Sequence, residues 1–191
     1  MLFRSGGLVP QEFVDNNILA SERVMAAAKA HAVPYIVNIS SSVVNSMAVD
    51  DYTETKKAQE KLVAETGIPQ VILRPTLMFG WFDRKHVGWL ARFMEKVPVF
   101  PIPGSGKYLR QPLYVGDFCD VIVSAIENRT TGAYNITGQE RIDYIDLIRA
   151  MKRATGAKAI ILNIPYDLFA LLLRIYGLFS KNPPFTEKQL K

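Results

Sequence analysis

The sequence is poor in the residues that build covalent cross-links and metal sites. Its 191 residues include one cysteine, Cys119, so an internal disulfide is excluded and a zinc site built on cysteines is not expected. The two histidines, His31 and His86, have no partner at metal-ligand spacing. We therefore predict a protein without a metal ion that works in a reducing, cytoplasmic setting.

Long apolar runs are also lacking. The most apolar stretch, Leu168–Phe179, is interrupted by Arg174 and Gly177, and it is shorter than the roughly 20 residues that a membrane-spanning helix needs. Met1–Gly7 has no long apolar core and does not resemble a signal peptide. The sequence therefore predicts no transmembrane segment and no export signal.

Basic residues are not gathered into blocks. The chain has 23 Lys and Arg against 18 Asp and Glu, a formal charge of +5, and the basic residues are spread along its length. No nucleic-acid-binding motif accompanies them, so we do not expect nucleic acid as a partner. What the chain does contain is ordinary globular composition, with 49% hydrophobic and 21% charged residues.

The first half of the chain alternates helix and strand. The periodicity predicts a helix over Asp15–Ala32, a strand over Tyr35–Ile39, a second helix and a strand over Val71–Leu73. We expect Asp51 to cap the second helix and Gly67 to follow its end. Helices alternating with buried strands at these lengths are typical of a parallel sheet covered on both faces, so the class is α/β.

The rhythm becomes irregular after residue 75. The elements predicted there are a helix over Asp83–Lys96, a turn over Pro98–Gly106, a strand over Leu113–Val115, a helix capped by Asp117, a strand over Tyr134–Ile136, a helix over Tyr144–Thr155, a strand over Ala159–Ile164 and a helix over Asp167–Phe179. We divide the chain at this point. Residues 1–75 belong to the sheet domain, and residues 76–191 form mainly a smaller lobe, with some strands returning to the sheet.

Tyr52 and Lys56 lie four residues apart on one face of the second helix. A nearby cation favours the ionised form of a tyrosine, and such a tyrosine can exchange a proton with an alcohol or a carbonyl. Taken alone, the pair is more often a solvated helix face. Its meaning depends on the surrounding motifs.

Seven short motifs follow one another along the chain, and their order is more specific than any one of them. They are Asp15-Asn16-Asn17 with Ser21, Ile39-Ser40-Ser41-Ser42, Tyr52 to Lys56, Val71 to Pro75, Met78-Phe79-Gly80, Arg110 to Asp117, and Tyr134-Asn135-Ile136. In this order the sequence resembles the extended short-chain dehydrogenases, of the NAD-dependent epimerase/dehydratase group. The resemblance implies a partial Rossmann-like parallel sheet, made of the later strands only, with a smaller C-terminal α+β substrate lobe.

The resemblance also implies roles for the central residues. Tyr52 would be the acid-base residue, and Lys56 would support its ionisation and hold the nicotinamide ribose of NAD or NADP. A serine at the end of the strand would bind the substrate oxygen. Ser42 is our choice, and Ser41 remains a rival. Ser40 would contact the cofactor or simply form the turn that follows the strand.

Three further positions match the family less specifically. Asn17 would help to fix the cofactor or a water, although an asparagine near a helix start is more often a cap. Pro75 would lie near the nicotinamide amide. Arg110 matches an arginine that meets the substrate diphosphate, for which a guanidinium fork is suited. A plain surface arginine is about as common at such a place.

The family's glycine-rich dinucleotide turn has no counterpart in this sequence. Gly6-Gly7 follows no apolar strand, and no acidic residue can be assigned to the adenosine ribose. We therefore expect a fragment of a longer reading frame that binds NAD(H) or NADP(H) too weakly for catalysis by itself. We also expect an unpaired sheet edge and an uncovered apolar face to favour association, a homodimer included.

The leading interpretation is an epimerase, dehydratase or reductase that acts on a nucleotide-linked sugar. Two alternatives stay open, and the first is favoured by the apolar Leu168–Phe179 segment and by the short loop of nine residues between Ser42 and Tyr52, fewer than in typical sugar epimerases. One is a hydroxysteroid- or quinone-type dehydrogenase, in which Arg110 would have no diphosphate to bind. The other is a non-catalytic dehydrogenase-like accessory subunit, which retention of both Tyr52 and Lys56 disfavours.

Overall fold

A computed structural model describes residues 10–47, 50–83, 86–169 and 171. The described chain divides into two compact units. The first contains the residues up to Trp81 together with Gln111–Gln139, and the second contains Phe82–Arg110 together with the residues from Glu140 onward.

Helices and strands alternate through most of the described chain. In chain order they are α1 (Pro10–Val14), a π-helical turn (Asp15–Leu19), α2 (Ala20–Ala30), β1 (Ile36–Ile39), a 3₁₀ turn (Ser42–Asn45), α3 (Asp51–Ala64), β2 (Gln70–Pro75), β3 (Met78–Phe79), α4 (Val87–Met94), β4 (Val99–Pro103), β5 (Leu109–Arg110), β6 (Leu113–Tyr114), α5 (Val115–Glu127), β7 (Gly132–Ile136), β8 (Ile142–Asp143), α6 (Tyr144–Thr155) and β9 (Ile160–Ile164). Residues 166–169 are again helical. Most of the helix expected over Asp167–Phe179 lies outside the described residues.

The first unit is built on a parallel three-stranded sheet in the order β1-β2-β7. Val71, Ile72 and Leu73 of the central strand are all buried, which is the apolar run that a parallel sheet covered on both faces requires. Phe118 and Ala125 of α5 join Val71 and Leu73 in one core cluster. The predicted α/β class with a Rossmann-like parallel sheet is confirmed.

Gly67 and Gly80 of the first unit have backbone conformations that residues with a side chain rarely adopt. Gly67, just beyond α3, has a φ of +72°, as expected for a residue that ends a helix. Gly80 has a φ of +134°, and a Cβ there would lie 2.6 Å from the Val115 side chain. The glycine of the Phe79-Gly80 pair is therefore required both by its conformation and by close packing.

Three predicted helix starts were wrong. The side chain of Asp50, not Asp51, caps α3, because Asp50 has extended backbone angles and accepts from the Thr53 N–H at 2.7 Å. Asp117 lies inside the first turn of α5, which begins at Val115 and has no side-chain cap. The first helical segment begins at Pro10, a residue suited to a first turn, rather than at Asp15.

The second unit has its own core. Met94 of α4, Ile102 of β4 and Ile148 of α6 are fully buried in one cluster, and β4 pairs in parallel with β9. The turn predicted over Pro98–Gly106 was wrong, because β4 occupies Val99–Pro103. Its prolines are tolerated because β4 has only one partner strand among the described residues, so one side of its backbone needs no donors.

Within the described residues, no helix combines the length and the apolar character needed to cross a membrane. Nor do these residues contain a group of three or more histidine, cysteine, aspartate or glutamate side chains that could hold a metal ion.

Candidate active site

The predicted catalytic residues of the first unit surround the carboxyl ends of β1 and β2. The backbone is continuous across this edge, because the Ser40 N–H donates to the Leu73 carbonyl at 2.8 Å and the Thr76 N–H donates to the Ile136 carbonyl at 3.0 Å. Pro75 is the last residue of β2 and is buried. Ligands of open parallel sheets bind outside this end of the strands, so the location suits a binding site.

Tyr52 is the second residue of α3, where the Asp50 cap fixes the first turn. Its half-buried ring packs against Phe13 of α1 with the ring centroids 5.9 Å apart. Within the part of the chain that the structure describes, its hydroxyl makes no hydrogen bond, whereas its backbone carbonyl accepts from the Thr55 hydroxyl at 3.1 Å. The ring is therefore held by packing, while the hydroxyl has no hydrogen-bond partner among the described residues.

Lys56 lies one turn further along α3, and its side chain is buried, with 6% of the residue exposed. The Nζ donates to the Ile39 carbonyl at 3.2 Å and to Gln59 Oε1 at 2.6 Å. Burial lowers the pKa of this amine from 10.5 to about 8, and the carboxylate of Glu60 partly opposes that shift. The ammonium therefore lies at the end of β1 with two of its three N–H groups used.

A partly buried ion pair lies next to this lysine. Arg74 of β2 binds Glu60 through both ends of the fork, Nε to Oε1 at 2.9 Å and Nη2 to Oε2 at 2.6 Å. Burial favours a higher pKa for Glu60, but Arg74, Ser40 and Lys56 together outweigh burial and lower the pKa. The buried Ser40 hydroxyl lies beside this carboxylate and also lowers its pKa, although the two groups fall short of hydrogen-bond geometry.

The other two serines lie in the loop that follows β1. The Ser41 hydroxyl accepts from the Val43 N–H at 3.4 Å and so caps the 3₁₀ turn. Ser42 begins that turn, and its hydroxyl makes no hydrogen bond to any residue that the structure describes. The loop is fixed to β7 by Asn45, whose Nδ2 donates to Asn135 Oδ1 at 2.8 Å. Of the two rivals, Ser42 has the less committed hydroxyl.

Asn17 lies in the π-helical turn and is buried. Its Nδ2 donates to the Thr55 hydroxyl at 3.1 Å, so it ties this turn to α3. The alternative that it caps a helix was wrong, because the helical segment begins at Pro10. A π-helical turn next to a candidate site is a recurrent feature of functional sites.

Sequence reasoning missed the polar residues on the buried face of α3. Gln59 and Glu60 follow Lys56 by three and four residues, the spacing that places side chains on one helical face. A search of this helix for polar residues at that spacing could have found them. Their partners, Ser21 and Arg74, lie on other elements and leave no local signal.

Arg110 belongs to the second unit. Its exposed guanidinium lies over the Tyr108 ring, 4.9 Å from the centroid, and Tyr108 stacks in turn on Tyr144 at 4.9 Å. Burial raises the pKa of Tyr108 to about 12, the neighbouring Tyr144 adds to the rise, and Arg110 opposes it. Aromatic stacking fixes the plane of the guanidinium, and its Nη1 donates to the Leu109 carbonyl at 3.4 Å.

A cleft of about 440 Å³ lies between α5 and the sheet, where Val121 and Ala125 face Leu73 and Ile136. None of the predicted site residues lines it. We therefore base the site on the hydrogen-bonded groups around Lys56 and not on this apolar cleft.

The lowered pKa of Lys56 leads to a prediction for stability. Below pH 8 the Lys56 amine is protonated in both the folded and the unfolded chain, so the full cost of burying its charge lowers the stability of the fold. Between about pH 8 and 10.5 the unfolded chain binds more protons than the folded chain, so the free energy of unfolding rises with pH. In urea unfolding, the free energy of unfolding of the wild type should therefore rise relative to that of Lys56→Met by up to about 3 kcal/mol across that range. The substitution of the exposed Lys57, Lys57→Met, is the control. A stability difference between the wild type and Lys56→Met that does not change with pH would contradict a lowered pKa for Lys56.

Much of the chain matches a known protein family. A family model described as the NAD dependent epimerase/dehydratase family matches residues 7–137. The chain is 25% identical over 178 residues to a 4-hydroxy-2-methyl-3-oxo-4-farnesyl-3,4-dihydroquinoline-1-oxide ketoreductase from Stigmatella aurantiaca, covering 82% of this chain and 52% of the relative. It is 28% identical over 117 residues to the mitochondrial NADH dehydrogenase [ubiquinone] 1 alpha subcomplex subunit 9 of Arabidopsis thaliana, covering 61% of this chain and 29% of that protein.

Among solved structures, the chain is similar to the UDP-glucuronic acid 4-epimerase of Bacillus cereus in complex with UDP-glucuronic acid and NAD. The TM-score is 0.71 at 26% identity, over 86% of this chain and 59% of the epimerase chain. The chain thus spans about half of the ketoreductase and less than a third of the plant subunit.

Proposed function

Because the chain belongs to the NAD-dependent epimerase/dehydratase family, we propose that it supplies the acid-base half of an NAD(P)-dependent epimerase, dehydratase or reductase that acts on a nucleotide-linked sugar. One observation carries the proposal. A tyrosine with an uncommitted hydroxyl stands one helical turn before a buried lysine amine, at the carboxyl end of a parallel sheet.

The residues at this edge fit a nicotinamide nucleotide. Lys56 keeps one N–H group for a ribose hydroxyl, since Ile39 and Gln59 take the other two. Pro75 closes the end of β2. When bound, the nicotinamide would accept or return a hydride, a reaction that no protein side chain performs.

The chain's own residues would then move and hold the proton. Tyr52, as the phenolate, would accept the proton of a substrate hydroxyl, and as the phenol it would return that proton to a carbonyl oxygen. The ammonium of Lys56 would stabilise the phenolate by its charge. Ser42 would donate its hydroxyl to the same substrate oxygen and orient it, with Ser41 as the alternative donor.

Supporting roles are proposed for three other residues. Asn17 would hold the π-helical turn against α3 beside the cofactor, and Ser40 would act there through Glu60 rather than by direct contact. Arg110 would bind the substrate diphosphate with the edge of its stacked guanidinium. Its exposure and its fixed plane support that role.

A second candidate function is reduction of a ring ketone by a dehydrogenase of the quinone or quinoline type. The similarity to the quinoline-oxide ketoreductase favours it, and so do the nine residues between Ser42 and Tyr52. A non-catalytic accessory role has its support in the similarity to the NADH dehydrogenase subunit. The retained Tyr52 and Lys56 favour an enzyme.

The test is a substrate comparison on the natural full-length protein. We expect turnover of UDP-glucuronic acid or a related nucleotide sugar with NAD or NADP, followed by NMR of the sugar protons, and loss of that turnover in Lys56→Met. Reduction of quinone-like ketones without any sugar turnover would replace the first candidate with the second. Inactivity on both classes would favour the accessory role.

A further inference from the structure

Gln59 is the buried polar neighbour of Lys56 that the proposed mechanism does not use. It is 5% exposed and lies on the same face of α3. Its Oε1 accepts from Lys56 Nζ at 2.6 Å, and its Nε2 donates to the Ser21 hydroxyl of α2 at 3.0 Å. One amide therefore connects the amine to a neighbouring helix.

The orientation of this amide follows from its partners. An ammonium has donors and no acceptor, so only the oxygen of the Gln59 amide can face Lys56. The amide nitrogen must then face Ser21, whose hydroxyl can accept. A flipped amide would place two donors against each other in a buried site, so the network has one satisfactory arrangement.

We propose that Gln59 is a positioning residue for Lys56: anchored on α2 through Ser21, its amide oxygen fixes the amine at the end of β1 and favours its charged form. Hydrogen bonds to charged groups are shorter and about twice as strong as neutral ones. With Ile39 holding a second N–H, the remaining N–H has a defined direction. Its consequence for catalysis rests on the proposed function of Lys56.

The charged surroundings of Lys56 leave this role to Gln59. On its own helix Glu60 acts on the amine, but that carboxylate is held by Arg74 of β2. The groups that contact the amine from β1 and, through Gln59, from α2 are the neutral Ile39 carbonyl and Ser21 hydroxyl. A neutral acceptor is thus the nearest compensation for the buried charge.

The titration of Lys56 tests the proposal without cofactor or substrate. The 191-residue chain would be labelled with ¹³C-lysine, the Lys56 signal assigned with Lys56→Arg, and the amine titrated by NMR. We expect Gln59→Met to lower the Lys56 pKa by about one unit, and Gln59→Glu to raise it by at least as much. Ser21→Ala should lower it by a smaller amount, because the amide then loses its anchor.

Thr55→Val is the matched control. Thr55 is about as buried, at 6% exposed, and joins α3 to the preceding helical segment through Asn17, but its hydroxyl makes no hydrogen bond to the Lys56 amine. Its replacement should leave the Lys56 pKa unchanged.

Unchanged Lys56 titration in the Gln59 and Ser21 variants would overturn the proposal, as would a similar shift in Thr55→Val. If Gln59→Met fails to fold, Gln59→Glu and Ser21→Ala decide the matter. A shift as expected, combined with full activity of a Tyr52 variant, would refute the proposed function and leave the role of Gln59 intact.

Discussion

Tyr52→Phe is expected to lower turnover by about 10²- to 10⁴-fold in the natural full-length protein, the usual cost of removing a general acid-base group. The phenyl ring keeps the contact with Phe13, so the fold and the first turn of α3 should be unchanged. Affinity for NAD or NADP should change little, because the lost hydroxyl serves the substrate. Steady-state kinetics with separate cofactor titrations would measure both effects.

Tyr134→Phe is the control for that substitution. Tyr134 also loses one hydroxyl, which donates to the Thr131 carbonyl at 2.9 Å and lies outside the proposed machinery. Its turnover should stay within a few-fold of the wild type. If Tyr52→Phe behaved in the same way, Tyr52 would not be the proton-transfer group, and the acid-base proposal would fail.

The second large effect concerns the ion pair of Arg74 and Glu60, whose side chains are 22% and 12% exposed. Removing one partner of such a pair leaves the other, mostly buried charge without its ion-pair partner, so Arg74→Leu should reduce the free energy of unfolding by about 3 kcal/mol. The double variant Arg74→Leu with Glu60→Leu should recover most of that loss, because neither charge of the pair then remains. Urea unfolding of the single and double variants measures both values.

The pair of Lys57 and Glu54 gives the scale for comparison. Its side chains are 43% and 53% exposed, so Lys57→Leu should cost no more than about 1 kcal/mol. Equal losses for Arg74→Leu and Lys57→Leu would mean that the buried pair is screened like a surface pair. If the double variant is as unstable as Arg74→Leu, the loss of stability comes from packing and not from an unpaired charge.

Local patterns predicted the elements that carry strong periodicity. The helix over Tyr144–Thr155 has the predicted bounds, and the strands over Tyr35–Ile39 and Val71–Leu73 were placed to within a few residues. Adjacent aspartates explain one error, since composition does not decide whether Asp50 or Asp51 takes the extended conformation of a cap. The strand β4 was missed because its prolines are permitted only by an edge position that pairing with β9 creates.

The candidate site was predictable where its residues follow one another along the chain. Tyr52, Lys56 and the serine loop formed an ordered pattern, and the family match now includes all of them. The partners that hold them do not form a pattern. Ser21 and Gln59 are 38 residues apart, and Arg74 reaches Glu60 from another strand, so only the folded chain pairs them.

The π-helical turn determines how the first helical segment aligns with α3. Three side-chain contacts join the two: Phe13 with Tyr52, Asn17 with Thr55, and Ser21 with Gln59. From the first contact to the second, the first helical segment advances four residues, from Phe13 to Asn17, whereas α3 advances three, from Tyr52 to Thr55. The wide π-helical turn over Asp15–Leu19 accommodates that extra residue, so Phe13 before it and Ser21 after it both still face α3. If the same residues wound as a regular α-helix, α1 would be rotated by about 100° against α2, and Phe13 would turn away from Tyr52.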